Sequence, residues 1–449
     1  MSKVKRIKNV LQEYSLPLII GVVAGLVVAN WNEHVYHSLV HYMPFGGDPN
    51  GDHPINLHFL INDIFMVFFF GIAAKEITES VLPGGALNPP SKAVNPLLGT
   101  LGGVVGPVVF FFIFATFFMD INTSEQSVFS SILQSMTPGV KAVDMPEGTA
   151  VLRGWGIPTA TDIALAWLVA RLVFGNGHAA VGFLLLLAVA DDAIGLGIIA
   201  IFYPTAPPAP QWLGLVALGM LIAYGLNKKK VQSWYPYIFI AGTISWFGLF
   251  NAHLHPALAL VPIVPFLPGP EHDLGLYAEE AHEDEHGNEV EHHHHDHSPL
   301  ENFEHSLKGF VDFGLFFFAF ANAGVKLDTI GPITTVIFLA LLVGKTVGIA
   351  AFSFLGTKIG FPLPDGMKFK HLVVAGVVAG LGLTVALFVT GQAYPTGNVL
   401  EFQGPAKMGA VFSAGIGVVA IYLGKMLKVH ERYQNKPSQI EMPNQAEEV

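Results

Sequence analysis

Phe183-Leu184-Leu185-Leu186-Leu187-Ala188-Val189-Ala190-Asp191-Asp192-Ala193-Ile194-Gly195-Leu196-Gly197-Ile198-Ile199 is an apolar run broken only by two adjacent carboxylates. Together with its apolar flanks, residues 179–203, it has the ~20 helical residues needed to cross a hydrocarbon core of ~30 Å. A charge placed in mid-span costs ~2.5–3.5 kcal/mol on insertion scales, so two in succession read as functional. Neighbours on a helix point ~100° apart, so Asp191 and Asp192 do not face one ion together. One can line a cavity while the other pairs with a cation or a second carboxylate.

Eleven further runs of comparable character occur, at about 15–31, 57–74, 96–118, 157–174, 211–227, 235–250, 253–267, 308–325, 329–355, 370–391 and 408–427. Apolar residues make up 52% of the chain, only 13% of residues are charged, and mean hydropathy is positive, a composition that a water-soluble domain does not sustain. The expected fold is an all-α integral membrane protein of about twelve transmembrane helices in one domain, residues 15–428, with a short N-terminal segment 1–14 and a tail 429–449. The basic N-terminus resembles the start of a signal peptide, but the apolar run after it has span length and no small-residue cleavage pattern, so it reads as a retained first helix. With no cysteine in the chain, disulfides and thiolate metal sites are excluded.

With the N-terminus in the cytoplasm, 18 Lys and Arg fall inside and 4 outside, and Lys345 falls within a span. That bias is the one expected of a correct topology, with both termini cytoplasmic. Three connections stand out. Residues 32–56 lack Lys and Arg, carry the turn signals Gly46-Gly47-Asp48-Pro49 and Asn50-Gly51, and read as an external hairpin; residues 119–154 read as an external insertion. Residues 271–305 read as a cytoplasmic loop rich in histidine and acid, with His292, His293, His294 and His295 as candidate metal ligands. The plainer reading of that loop is a solvated, low-complexity segment.

Two other spans carry polar interruptions. Residues Ile157-Pro158-Thr159-Ala160-Thr161-Asp162-Ile163 make a poor continuous helix, and a break there would leave free carbonyls beside Asp162. Residues Gly380-Leu381-Gly382-Leu383-Thr384 suggest a second interrupted helix, although glycines also serve close packing. Lys345 supplies a buried positive charge whose natural partner is Asp191 or Asp192. Two broken helices in corresponding places of two halves point to a site at the bilayer midplane. Sodium is a hard cation that takes oxygen ligands, and carboxylates, free carbonyls and a threonine hydroxyl provide them. Burial disfavours the charged carboxylate, so a proton and a sodium ion become rival ways of neutralising one site. No cofactor and no nucleic acid are called for.

These residues carry a resemblance to the NhaA family of sodium/proton antiporters over most of residues 15–428. Matching segments are Leu60-Ile61-Asn62-Asp63, Ala160-Thr161-Asp162-Ile163-Ala164, Asp191-Asp192-Ala193-Ile194-Gly195, Phe318-Ala319-Phe320-Ala321-Asn322-Ala323-Gly324, Gly344-Lys345-Thr346-Val347-Gly348 and Gly380-Leu381-Gly382-Leu383-Thr384, in order and at the right spacing. The resemblance implies inverted-topology repeats with two discontinuous helices crossing near the midplane, at Thr161, Asp162, Gly380, Gly382 and Thr384. It implies that Asp192 is the principal ion and proton carrier with Asp191 beside it, that Lys345 pairs with the aspartates, and that Asp63 lies on the path by which ions arrive. It further implies electrogenic exchange of Na+, and of Li+, for H+ in a homodimer in the bacterial inner membrane, serving sodium and pH homeostasis. The chain departs from the family pattern at Gly71-Ile72-Ala73-Ala74-Lys75-Glu76-Ile77-Thr78-Glu79 and in its extra histidine tract.

Competing readings differ in what they require. An intramembrane aspartyl protease wants a Gly-x-Gly-Asp segment and a proton-sharing pair, which these spans do not offer and a neighbouring lysine would disturb. A divalent-metal transporter fed by the histidine loop wants histidines within the spans near the carboxylates, and the close candidates, His253 and His255, sit at a helix start. A sodium-coupled solute symporter wants a roomier cavity.

Overall fold

The structure is a computed structural model and describes residues 15–46, 55–82, 90–119, 121, 127–141, 144–146, 148–175, 177–269, 298–395 and 399–430. Every regular element among them is helical. In chain order the helices are α1 (Leu16–Trp31), α2 (Glu33–Val40), α3 (Leu57–Val81), α4 (Pro90–Phe118), α5 (Val128–Ser135), α6 (Ile163–Phe174), α7 (Ala179–Phe202), α8 (Leu213–Lys228), α9 (Tyr237–Asn251), α10 (Pro299–Ala323), α11 (Pro332–Lys358), α12 (Phe369–Ala379), α13 (Leu383–Ala393) and α14 (Leu400–Met426). A ten-residue 3-10 segment, Ala150–Thr159, leads into α6. Helices α3, α4, α7, α11 and α14 are each long and apolar enough to cross a membrane, and two bent pairs add a broken span each. The chain is a helical, multi-pass membrane protein.

Most apolar runs in the sequence coincide with these helices, but one does not, and two of the polar connections hold helix of their own. Residues 253–267 are not a continuous helix: short 3-10 turns at Pro256–Leu258 and Val264–Phe266 replace it, because Pro256, Pro262 and Pro265 remove the N–H groups an α-helix needs. The polar connection 271–305 ends sooner than its polarity suggests. Ser298 and Glu301 form a capping box ahead of Pro299, so α10 begins there. In the connection 32–56, the described residues include the short helix α2, capped by the Asn32 side chain. The turn residues 47–54 and the tract His292, His293, His294 and His295 lie outside the described residues.

Glycine lets two pairs of helices meet backbone to backbone. On α4, Gly102 and Gly106 face Gly344 and Gly348 of α11, where a Cβ on Gly344 would lie 2.7 Å from the Pro107 Cα. On α1, Gly21 and Gly25 face α10, where a Cβ on Gly25 would lie 2.8 Å from the Phe320 carbonyl oxygen. In lipid, where helices gain little from hiding apolar surface from one another, such close approach is what makes them associate. The α4–α11 seam also brings Lys345, one residue beyond a π-turn at Ala340–Gly344, against α7.

Outside the spans, Glu33 and Lys326 pair at 2.5 Å and join α2 to the end of α10. The hydrogen bond from Lys326 holds the Glu33 carboxyl below the ordinary glutamate range.

Candidate functional site

The two interrupted helices form as their sequences suggest. The 3-10 segment Ala150–Thr159 and α6 meet at 51°, with Ala160, Thr161 and Asp162 extended between them, and α12 and α13 meet at 49° across Gly380-Leu381-Gly382. Pro158 and the β-branched Thr159 and Thr161 account for the first break. In the second, a Cβ on Gly380 would stand 2.8 Å from the Leu341 carbonyl oxygen and one on Gly382 would stand 3.2 Å from the Ala160 carbonyl oxygen. These two positions are glycine because another backbone passes there.

Asp162 stitches the breaks together. One carboxylate oxygen accepts the Leu165 N–H at 3.1 Å and so caps α6; the other accepts the Thr384 hydroxyl at 2.8 Å and the Thr384 N–H at 3.2 Å, and so caps α13. The Asp162 N–H donates to the Leu381 carbonyl at 2.6 Å. A single anion thus answers the positive ends of two helices. Ser413, not singled out from the sequence, accepts the Gly382 N–H at 3.3 Å.

Next to this crossing lies a buried ion pair. Lys345 donates to Asp191 and, at 2.8 Å, to the Thr161 hydroxyl. That hydroxyl has its one proton to offer between Asp191, at 2.8 Å, and the Ala379 carbonyl, at 2.9 Å. The Ala379 carbonyl is the last of α12 and has no partner within its helix. Lys345, Asp191 and Thr161 are fully buried.

Asp192 is different from both other acids. It is 8% exposed, against none for Asp191, and it makes no hydrogen bond among the described residues. Asp191 also keeps one oxygen without a partner. A charged carboxylate in such a place is costly until something neutralises it. A proton can do so, and so can a small cation that takes oxygen ligands.

Asp63 is not joined to this cluster by any hydrogen bond among the described residues. It sits in a π-turn of α3, where its backbone carbonyl accepts the Trp246 indole N–H at 2.9 Å. Beside it, the amides of Asn62 and Asn322 bond each other, at 2.9 and 3.3 Å, and tie α3 to α10.

Sequence reasoning missed a second buried charge cluster. Lys75, counted among the cytoplasmic-side charges, is 2% exposed; it pairs with Glu304 of α10, with Glu79 at 2.6 Å and with Glu76 at 3.4 Å. The i, i+4 spacing of Lys75 and Glu79 signals half of it. The half contributed by Glu304 comes from the far side of the long loop.

The match to known proteins covers nearly the whole chain. The family model described as Na+/H+ antiporter 1 matches residues 8–126 and 120–424. A Na(+)/H(+) antiporter NhaA from Geobacter metallireducens is 51% identical over 423 residues, which cover 94% of this chain and 98% of that protein. One from Desulfitobacterium hafniense is 51% identical over 432 residues, covering 96% and 98%, and one from Jannaschia sp. is 39% identical over 458 residues, covering 95% and 99%. Among solved structures, the sodium proton antiporter MjNhaP1 from Methanocaldococcus jannaschii superposes with a TM-score of 0.51 over 93% of this chain and 92% of that one, at 12% identity, a likeness of fold. Identity of this order over almost the full length of both chains, in a membrane protein whose buried acids meet two broken helices, leaves one assignment: the chain belongs to the NhaA family of Na+/H+ antiporters.

Proposed function

We propose that this antiporter exchanges Na+ for H+ by letting the two ions compete for Asp192. The observation that carries the reading is the contrast among the three acids. Asp162 is held by three donors and Asp191 by Lys345 and Thr161, whereas the Asp192 side chain has no hydrogen bond among the described residues. Of the three, its side chain alone carries no hydrogen bond among the described residues and is open to a cation, while Asp191 beside it keeps one oxygen unbonded there. Asp162 stabilises the crossing of Thr161, Gly380, Gly382 and Thr384, and Lys345 is the counter-charge of Asp191.

Exchange follows from charge alone. A protonated or sodium-loaded site is neutral and can change sides, whereas an empty carboxylate is held back by the cost of moving its charge through a low-dielectric interior. Release of more protons than the sodium ions seated makes the cycle electrogenic. Li+, smaller and equally hard, fits the same oxygens. The remaining features of this reading are twelve spans in inverted repeats, both termini cytoplasmic, a homodimer in the bacterial inner membrane, Asp63 on the path of arriving ions, and a role in sodium and pH homeostasis.

The test is proton flux in proteoliposomes on addition of Na+, Li+ or K+. Asp192→Asn, which keeps shape and removes the charge, is expected to abolish Na+-dependent flux; flux at the parent rate would overturn the role of Asp192.

A further inference from the structure

The 3-10 segment Ala150–Thr159 is unusual in length. Such helices seldom exceed three or four residues, because their hydrogen bonds are poorly aligned, and a longer one marks a hinge or a strained stretch. All ten of its residues are buried.

Two tyrosines hold it, and both do so in the same way. Tyr203 caps the C-terminus of α7, the helix of Asp191 and Asp192, and Tyr394 caps the C-terminus of α13, the helix of Thr384. The Tyr203 hydroxyl donates to the Arg153 carbonyl at 2.8 Å and accepts the Gly156 N–H at 2.9 Å. It is thus inserted between the two groups that a 3-10 turn would bond directly. The Tyr394 hydroxyl donates to the Val151 carbonyl at 2.6 Å and stands beside the N–H of Gly154, again three residues on. Gly154 and Gly156 make room for this: a Cβ on Gly154 would strike the Tyr394 hydroxyl, and one on Gly156 would lie 2.6 Å from that of Tyr203. The segment is also fixed laterally. The Arg153 guanidinium lies 4.8 Å above the Tyr203 ring and donates to the Ser135 carbonyl at 2.5 Å, which also accepts the Trp155 indole N–H at 3.0 Å.

A 3-10 helix rises ~2.0 Å per residue and an α-helix 1.5 Å, so ten residues are about 5 Å longer in the first form. Thr161 and Asp162 follow one residue beyond the end of this segment, after Ala160. We propose that Tyr203 and Tyr394 are positioning residues that hold the segment in its long form and so set how deep Thr161 and Asp162 stand in the crossing. Two of the helices that supply the ion site thus also gauge the reach of the third strand of backbone that completes it. This rests on the reading that Asp162 and Thr161 shape the site for Na+.

The experiment compares the full-length parent, Tyr203→Phe, Tyr394→Phe, the double variant and Gly156→Ala in proteoliposomes, with melting temperature recorded for each. Phenylalanine keeps the ring and its packing and removes only the inserted hydroxyl. The double variant is expected to raise the KM for Na+ by at least about fivefold while the maximal rate stays within about twofold, the pattern of a weakened binding site with intact turnover. Its pH profile is expected to move to more alkaline values, because protons then win the competition at a given Na+ concentration. Gly156→Ala, which keeps both hydroxyls but displaces Tyr203, is expected to raise KM in the same direction. A KM within twofold of the parent in all the variants, or a fall in melting temperature without a change of KM or pH profile, would overturn the proposal. Asp162→Asn measured alongside separates the two readings. An unchanged KM there overturns the placement of the site, whereas a changed KM there with unchanged tyrosine variants overturns only the positioning role.

Discussion

Lys345 and Asp191 are both wholly inaccessible, and each is tolerable only because the other is there. Removing one partner of such a pair leaves an uncompensated charge and costs ~3–5 kcal/mol. Lys345→Ala is therefore expected to lower the melting temperature in detergent markedly, and unchanged melting would contradict the pairing. Thr384→Val is milder. Asp162 loses the hydroxyl donor at 2.8 Å and keeps the Thr384 N–H at 3.2 Å, so a loss of ~1.5–3 kcal/mol is expected, the worth of one hydrogen bond to a charged group. Chemical denaturation or thermal melting reads both. At this scale the sequence was informative about which residues matter, because an acid or a lysine within an apolar run is expensive wherever it points. It was silent on which carboxylate each donor chooses: Lys345 had two candidates, and the contact with Asp191 depends on how α11 and α7 both pack on α4.

Among the elements, breaks proved easier to read than partners. Pro158 and the glycines at Gly380 and Gly382 announce interrupted helices through local backbone chemistry, and both interruptions are present. That one carboxylate would cap two of the resulting helix ends was not legible, since Asp162 and Thr384 are 222 residues apart. The same holds for Lys75 and Glu304, 229 residues apart. The run at 253–267 is apolar without being one continuous helix, because hydropathy counts prolines as apolar while the backbone loses their donors. Gly348→Ala tests the α4–α11 seam. The added methyl would lie 2.9 Å from the Gly106 Cα, so the helices must separate or shift. Reduced melting temperature together with weakened exchange is the expected outcome, read by melting and by proton flux. Exchange and stability equal to the parent's would mean that the seam yields without disturbing Lys345.

For the molecule as a whole, competition between two cations for one carboxylate fixes the sign of the pH response. Acid protonates the free oxygens and excludes Na+, so apparent Na+ affinity is expected to weaken as pH falls, by up to tenfold per unit where one proton is displaced. Isothermal titration across pH would show it, and an affinity indifferent to pH would defeat the exchange mechanism. Deleting residues 282–297, which carry most of the histidine tract, is expected to leave Na+-dependent flux unchanged, since among the described residues the crossing and the buried pair find their partners elsewhere in the chain.

The seam between α4 and α11 has a mechanical corollary. Where two backbones touch with no side chains between them, carbonyl ridges lock into the facing hollows, and one rod can slip past the other only by a full notch rather than by gradual creep. Spin labels placed on those two rods should therefore keep one fixed separation through the whole transport cycle, making the pair an internal ruler against which the excursions of every other helix can be scaled.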